Sequence, residues 1–231
     1  MIIYPIQSWG LGDVIWEQTL VKKIADGNPI IWPVEPQFVG ALNRAYPDVL
    51  FIPRSLDELK RTRMEDYIED GIRYLPLRWT DSLLKVPFSQ CMASKYMFYG
   101  MDYHIWKTHA MWHRDTEKEE KLFNLLGCGQ GPYAFVNCIF GSENQLKVQI
   151  PPMEGLDVVE MRPIAGFSMF DWAAVLERAD AIHTVSTSNL YMLEMLELKA
   201  PEIHIYVRKP NERDLTTVDY IFEKHKYIQH L

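Results

Sequence analysis

The opening of the chain already restricts the fold. Ile2-Ile3-Tyr4-Pro5-Ile6 is a short β-prone run and Gly10-Leu11-Gly12-Asp13 reads as a turn. Residues 14–25 then carry Val14, Ile15, Leu20, Val21 and Ile24 near helical spacing. A strand, a glycine loop and a helix in that order begin a βα unit. Ile30-Ile31-Trp32-Pro33-Val34 reads as the next strand, 37–45 as a helix, and Val49-Leu50-Phe51-Ile52 as a third strand between Pro47 and Pro53. Such alternation implies βαβ units around a parallel sheet, an α/β fold.

The middle is less regular. A charged helix is expected at 56–67 and a strand at Ile72-Arg73-Tyr74-Leu75-Pro76-Leu77. The following segment, CMASKYMFYGMDYHIWKTHAMWHR, is rich in Met, Tyr, His and Trp. His109 and His113 stand at i and i+4, with His104 before them, but no acidic third ligand occupies a fixed offset, so a metal site is not expected. The aromatics suit a packed core or a surface that covers a ligand. A charged amphipathic helix follows at 116–123.

Gly127-Cys128-Gly129-Gln130-Gly131-Pro132 breaks any regular element, and the alternation then restarts. Strands are expected at 133–137, 156–161, 181–185 and 203–207. Ser168 caps a helix over 169–178, Ser186-Thr187-Ser188-Asn189 caps another to Leu198, and a terminal helix occupies part of 214–230. The chain therefore reads as two Rossmann-like halves, 1–126 and 127–231, with the terminal helix packing back on the first half.

Composition removes several function classes. The 24 Lys and Arg are outnumbered by 31 Asp and Glu, giving a net charge of -7, and they are scattered, so a nucleic-acid face is not expected. The apolar runs are too short to span a bilayer, and the N-terminus has neither a charged leader nor a long apolar core, so a soluble cytoplasmic protein is expected. Cys91, Cys128 and Cys138 form no C-x-x-C pair, which fits buried thiols in a reducing compartment.

In an open parallel sheet, ligands collect outside the carboxyl ends of the strands. Three loops meet that condition. The first contains Gly10 and Gly12 but has Ile15 where a dinucleotide fingerprint needs glycine, and it lacks a P-loop's Lys-Ser/Thr, so neither NAD nor P-loop ATP chemistry is expected. It offers close backbone approach at a helix start and a carboxylate, Asp13, that is either a dipole-stabilised cap or a general base. The second, Ser186-Thr187-Ser188-Asn189, sets hydroxyls and free N–H groups after an apolar strand, which suits a phosphate as well as a helix cap. The third runs from Asn137 to Asn144 and holds Gly141 and Ser142, where a ribose or phosphate fits. Arg162 and Arg208, each just after a strand, are candidates for compensating phosphate charge.

GLGDVIWEQTLVKKI after the first strand resembles the opening of the ADP-heptose:lipopolysaccharide heptosyltransferases, a small residue and Leu/Met-Gly-Asp-Val leading into a helix. FSMFDWAAVLERADAIHTVSTSNLYMLEML resembles their donor-domain motif, a Leu/Ala-rich helix, an Ala-Asp dipeptide, a strand and Asp-Thr/Ser-Gly-X-X-His. The resemblance implies a minimal two-domain glycosyltransferase of the GT-B type, its halves facing each other across a cleft. The N-terminal half would bind the acceptor and the C-terminal half a nucleotide-diphosphate sugar. It implies inverting transfer to a hydroxyl-bearing glycan, lipid-linked or protein acceptor, Asp13 as base, and neither metal nor cofactor. Ser186-Thr187-Ser188 stands where the family has Asp-Thr-Gly and Tyr191 where it has His, so only Thr187 carries over directly. The resemblance offers Lys147 as the counterpart of the family's positively charged residue near the loop after the first C-terminal strand. The runner-up expectation is a non-catalytic nucleotide-sugar or phosphate-binding protein on the same scaffold.

Overall fold

The computed structural model describes residues 1–7, 10–54, 65–77, 80–87, 90–140, 143–151, 153–206 and 221–230. The chain divides into two units, Met1–His113 and Arg114–Leu231. The division precedes the helix Thr116–Leu125 instead of following it at 126. That helix belongs with the second unit because Glu120 pairs with Arg178 and Glu119 shares Arg114 with Glu177.

In the N-terminal unit β1 (Ile2–Gln7), α1 (Leu11–Ala25), β2 (Ile31–Val34), α2 (Pro36–Ala45) and β3 (Leu50–Pro53) follow the expected alternation. A hairpin of β4 (Tyr67–Glu69) and β5 (Ile72–Leu77) comes next, then short α3 (Asp81–Leu84), α4 (Cys91–Phe98) and a 3-10 turn at Tyr103–Thr108. β1 pairs in parallel with β5, and β2 with β3. A parallel bridge between Ile3 and Ile30 joins the two ladders, so the spatial order is β3-β2-β1-β5-β4, with β4 antiparallel at the edge.

Two local readings change. The helix after β1 starts at Leu11, with extended Gly10 as its N-cap, so Gly12 and Asp13 lie in its first turn and not in a turn ahead of it. A carboxylate there meets the positive end of the helix dipole, which favours the earlier start. The charged helix expected at 56–67 lies mostly outside the described residues, and Tyr67 opens a strand. Asp70-Gly71 turns that strand into β5 with both residues at positive φ, 50° and 78°, as a tight hairpin of this kind requires. The core of the unit is aromatic: buried Trp16 meets Tyr96 at 5.4 Å and Trp106 at 5.1 Å.

The C-terminal unit comprises α5 (Thr116–Leu125), β6 (Tyr133–Asn137), β7 (Ile139–Phe140), β8 (Glu143–Lys147) and β9 (Asp157–Glu160). A 3-10 turn at Met169–Trp172, α6 (Ala173–Arg178), β10 (Ala181–Val185), α7 (Asn189–Met195), β11 (Ile203–Tyr206) and β12 (Tyr227–His230) complete it. Ser168 and Asp171 form a reciprocal capping box at the start of the turn.

All five strands of the main sheet are parallel, in the order β9-β6-β10-β11-β12. The polar loop expected after β6 is partly an antiparallel β7–β8 hairpin, and α7 stops at Met195, short of Leu198. Residues 227–230 are a strand on β11 instead of part of a terminal helix. Residues 214–220 lie outside the described set. β-branched and aromatic residues on both faces of a parallel pairing favour the strand.

Candidate functional site

Asp13 and Glu17 are one helical turn apart on α1 and so share a face. Lys95, from α4, places its ammonium 2.6 Å from Asp13 Oδ1 and in contact with Glu17 Oε1. The Lys95 and Glu17 side chains are fully buried, whereas that of Asp13 keeps 15% exposure. Burial pushes the Glu17 carboxyl up to about 8, against the opposing pull of Lys95. Burial by itself would lower the Lys95 ammonium, but Asp13 and Glu17 outweigh it and hold Lys95 above its ordinary value.

Hydrogen bonds lock α4 and the 3-10 turn onto α1. Tyr96 donates to the Trp16 carbonyl at 2.7 Å, Trp16 Nε1 to the Met92 carbonyl at 2.9 Å, and the His109 backbone N–H to Thr19 Oγ1 at 2.8 Å. The Met- and Trp-rich segment thus supplies the core that seats Lys95. His104 bonds exposed Asp102, while His109 and His113 are exposed and lie beyond any α-helix. Among the described residues no three potential ligands gather around a metal position. Gly10 has open space among the described residues where a Cβ would stand.

In the C-terminal unit the strand order of the main sheet, counting only its own five strands, is 2-1-3-4-5. The chain leaves β6 in one direction and returns past it to β10, which makes the carboxyl ends of β6 and β10 the topological switch point, where ligands of open α/β sheets bind. Asn137 ends β6, and its amide lies 3.3 Å from Thr184 Oγ1 and 3.3 Å from Thr187 Oγ1. Ser186, Thr187 and Ser188 are half-buried, and Asn137, Thr184 and Asn189 are buried. Ser188 does not cap α7 with its side chain; its hydroxyl lies 3.5 Å from Met169 Sδ, and Asn189 Nδ2 lies 3.0 Å from Met161 Sδ. Exposed Arg162 follows β9 at the same sheet edge, since the Met161 N–H donates to the Val136 carbonyl at 2.7 Å.

Asn137, Arg162 and the 186–189 loop are thereby brought to one edge of one sheet. Gly141, Ser142, Arg208 and the Lys147 side chain lie outside the described residues. Sequence reading passed over Lys95 and Glu17. The i, i+4 spacing of Asp13 and Glu17 was a usable signal, but nothing local marks Lys95 as their partner.

It also passed over a ring column on the same sheet. His183, His204 and His230 stack on adjacent strands at 4.5 Å and 5.1 Å, and Tyr206 stacks on His230 at 4.6 Å. His183 Nδ1 lies 2.9 Å from Tyr206 Oη, and His204 Nδ1 lies 2.9 Å from His230 Nε2. Burial first, then His204 and His230, lowers His183 to about 4.

No protein-family model matches the sequence, and no curated protein or solved structure is significantly similar to it. The class defined at this point is a two-unit α/β protein with parallel sheets. Among the described residues no helix is long and apolar enough to cross a membrane.

Proposed function

We propose that the protein is an inverting, metal-independent glycosyltransferase of the GT-B type that moves a sugar from a nucleotide-diphosphate donor to a hydroxyl acceptor. The observation that carries this reading is the convergence of Asn137, Thr184 and Thr187 at the switch point of the C-terminal sheet. Hydroxyls and an amide at that place can donate to diphosphate or ribose oxygens, and they supply this locally in a protein whose net charge of -7 repels anions overall. In the proposed reaction Asp13 takes the proton of the acceptor hydroxyl as its oxygen bonds to the anomeric carbon. The bond from that carbon to the donor phosphate breaks, and the nucleoside diphosphate leaves with the electron pair.

A second reading has its own support. Asp13 is ion-paired with Lys95, and the donor loop has Ser186 and Tyr191 where the resembled family has Asp and His. Both features suit a nucleotide-sugar-binding protein that performs no transfer. Exchange of Asp13 for Asn separates the two: transfer is lost with donor binding intact under the first, and no transfer exists to lose under the second.

A further inference from the structure

We propose that Lys95 is the positioning residue of Asp13 and that Glu17 is the buried anchor fixing Lys95; the idea rests on the reading of Asp13 as the base. Lys95 holds only one of the two Asp13 oxygens, Oδ1, at 2.6 Å. Oδ2 makes no hydrogen bond among the described residues, and the side chain keeps its 15% exposure. One oxygen is thus pinned and the other is available to receive a proton. An unpinned aspartate in the first turn of a helix would sample several rotamers, and misplacement of a reacting atom by about 1 Å can cost about 100-fold in rate.

Loss of Lys95 alone strands the buried Glu17 carboxyl, but apolar residues in place of both groups are often neutral or stabilising, and Trp16, Tyr96 and Trp106 pack together in the same unit. The consequence peculiar to Lys95 falls on Asp13. Glu17 completes the arrangement, because its Oε1 holds the ammonium from one turn further along α1. Glu17 Oε2 has no hydrogen-bond partner among the described residues, so Glu17 makes no second commitment that would draw Lys95 away. The other ionisable groups close to the cluster are the Tyr96 and Tyr99 phenols, both raised by burial, and beyond Tyr99 the Asp66–Arg73 pair.

The test reads the Asp13 side-chain rotamer by NMR, from the three-bond couplings about its Cα–Cβ bond in the full chain labelled at aspartate, with Asp13→Asn assigning the signal. Wild type is compared with Lys95→Met and with the double variant Glu17→Met/Lys95→Met, which strands no buried carboxyl and keeps the experiment open if the single variant does not fold. Wild type should show the couplings of a single rotamer, and loss of Lys95 should average them in either variant. Transfer should slow about 10- to 100-fold in kcat, with KM within about twofold. A single Asp13 rotamer retained without Lys95 overturns the proposal. Averaged couplings with transfer surviving in Asp13→Asn would leave Lys95 holding Asp13 and remove Asp13 as the base, so the two failures are distinguishable.

Discussion

The Asn137 amide sits 3.3 Å from Thr187 Oγ1, joining the end of one strand to the loop after another 50 residues away in sequence. This link draws β6 and the 186–189 loop into one polar surface at the switch point of the sheet. Neither residue reads as a site by itself; the strand order makes them one.

Donor affinity should therefore depend on both. Asn137→Ala and Thr187→Val each remove one hydrogen-bonding group that is not part of the apolar core, and each should weaken nucleotide-sugar binding about tenfold, the equivalent of roughly 1.4 kcal/mol. Calorimetric titration checks this against an unchanged circular dichroism spectrum. Wild-type affinity in both variants would move the donor site elsewhere.

Glu17 makes stability depend on pH in the alkaline direction. Its carboxyl titrates at about 8 when folded against an ordinary 4.5. Between those values the unfolded chain has released a proton that the folded chain retains, so stability falls as pH rises through that window. Glu17→Gln removes the titration while keeping shape. Its melting temperature should exceed that of wild type by more at pH 9 than at pH 5, as scanning calorimetry can establish.

The histidine column acts at the other end of the scale. His183 is lowered from 6.5 to about 4, with burial the leading cause. Its contribution is complete above pH 6.5 and is lost as pH falls toward 4, where the unfolded chain binds the extra proton. About 3 kcal/mol should disappear over that interval. His183→Asn keeps a polar partner for Tyr206 and removes the charge, so urea denaturation of this variant should be flatter between pH 6.5 and 4 than that of wild type.

Arg114 binds both Glu119 and Glu177, tying α5 to α6. The Glu119 side chain is only 2% exposed, so Arg114→Met leaves a buried carboxylate without its cation. The C-terminal unit should lose about 2 to 3 kcal/mol, seen as an earlier urea midpoint. Glu177→Gln, which spares the Arg114–Glu119 pair, should cost less.

Much of this architecture was legible in periodicity. Strands at 72–77, 133–137 and 181–185 fall where alternating or continuous apolar runs predict them, because burial of those runs decides both. Asp70-Gly71 is a hairpin signal, masked in the sequence by a preceding charged stretch that looks helical. The strand at 227–230 is not legible in the sequence, because four residues with half-buried side chains carry little pattern and only parallel pairing with Ile203–Tyr206 commits them.

For the sites, the loop positions were legible and their partners were not. Asp13 announces itself in the first turn of a helix after a strand. Lys95 does not, since a lysine inside an aromatic segment gives no sign that it is buried on a carboxylate 82 residues earlier. The three histidines of the column are far apart in sequence and share a face only through strand register.

Proposed transfer from a nucleotide-diphosphate sugar, with Asp13 as base, is tested most directly by release of free nucleoside diphosphate from a panel of ADP-, GDP-, UDP- and CDP-sugars, measured with binding for wild type and Asp13→Asn. Wild type should release diphosphate from one base class, and the variant should bind that same donor with similar affinity while releasing none above background. No binding of any donor by wild type, or full turnover by Asp13→Asn, would contradict it.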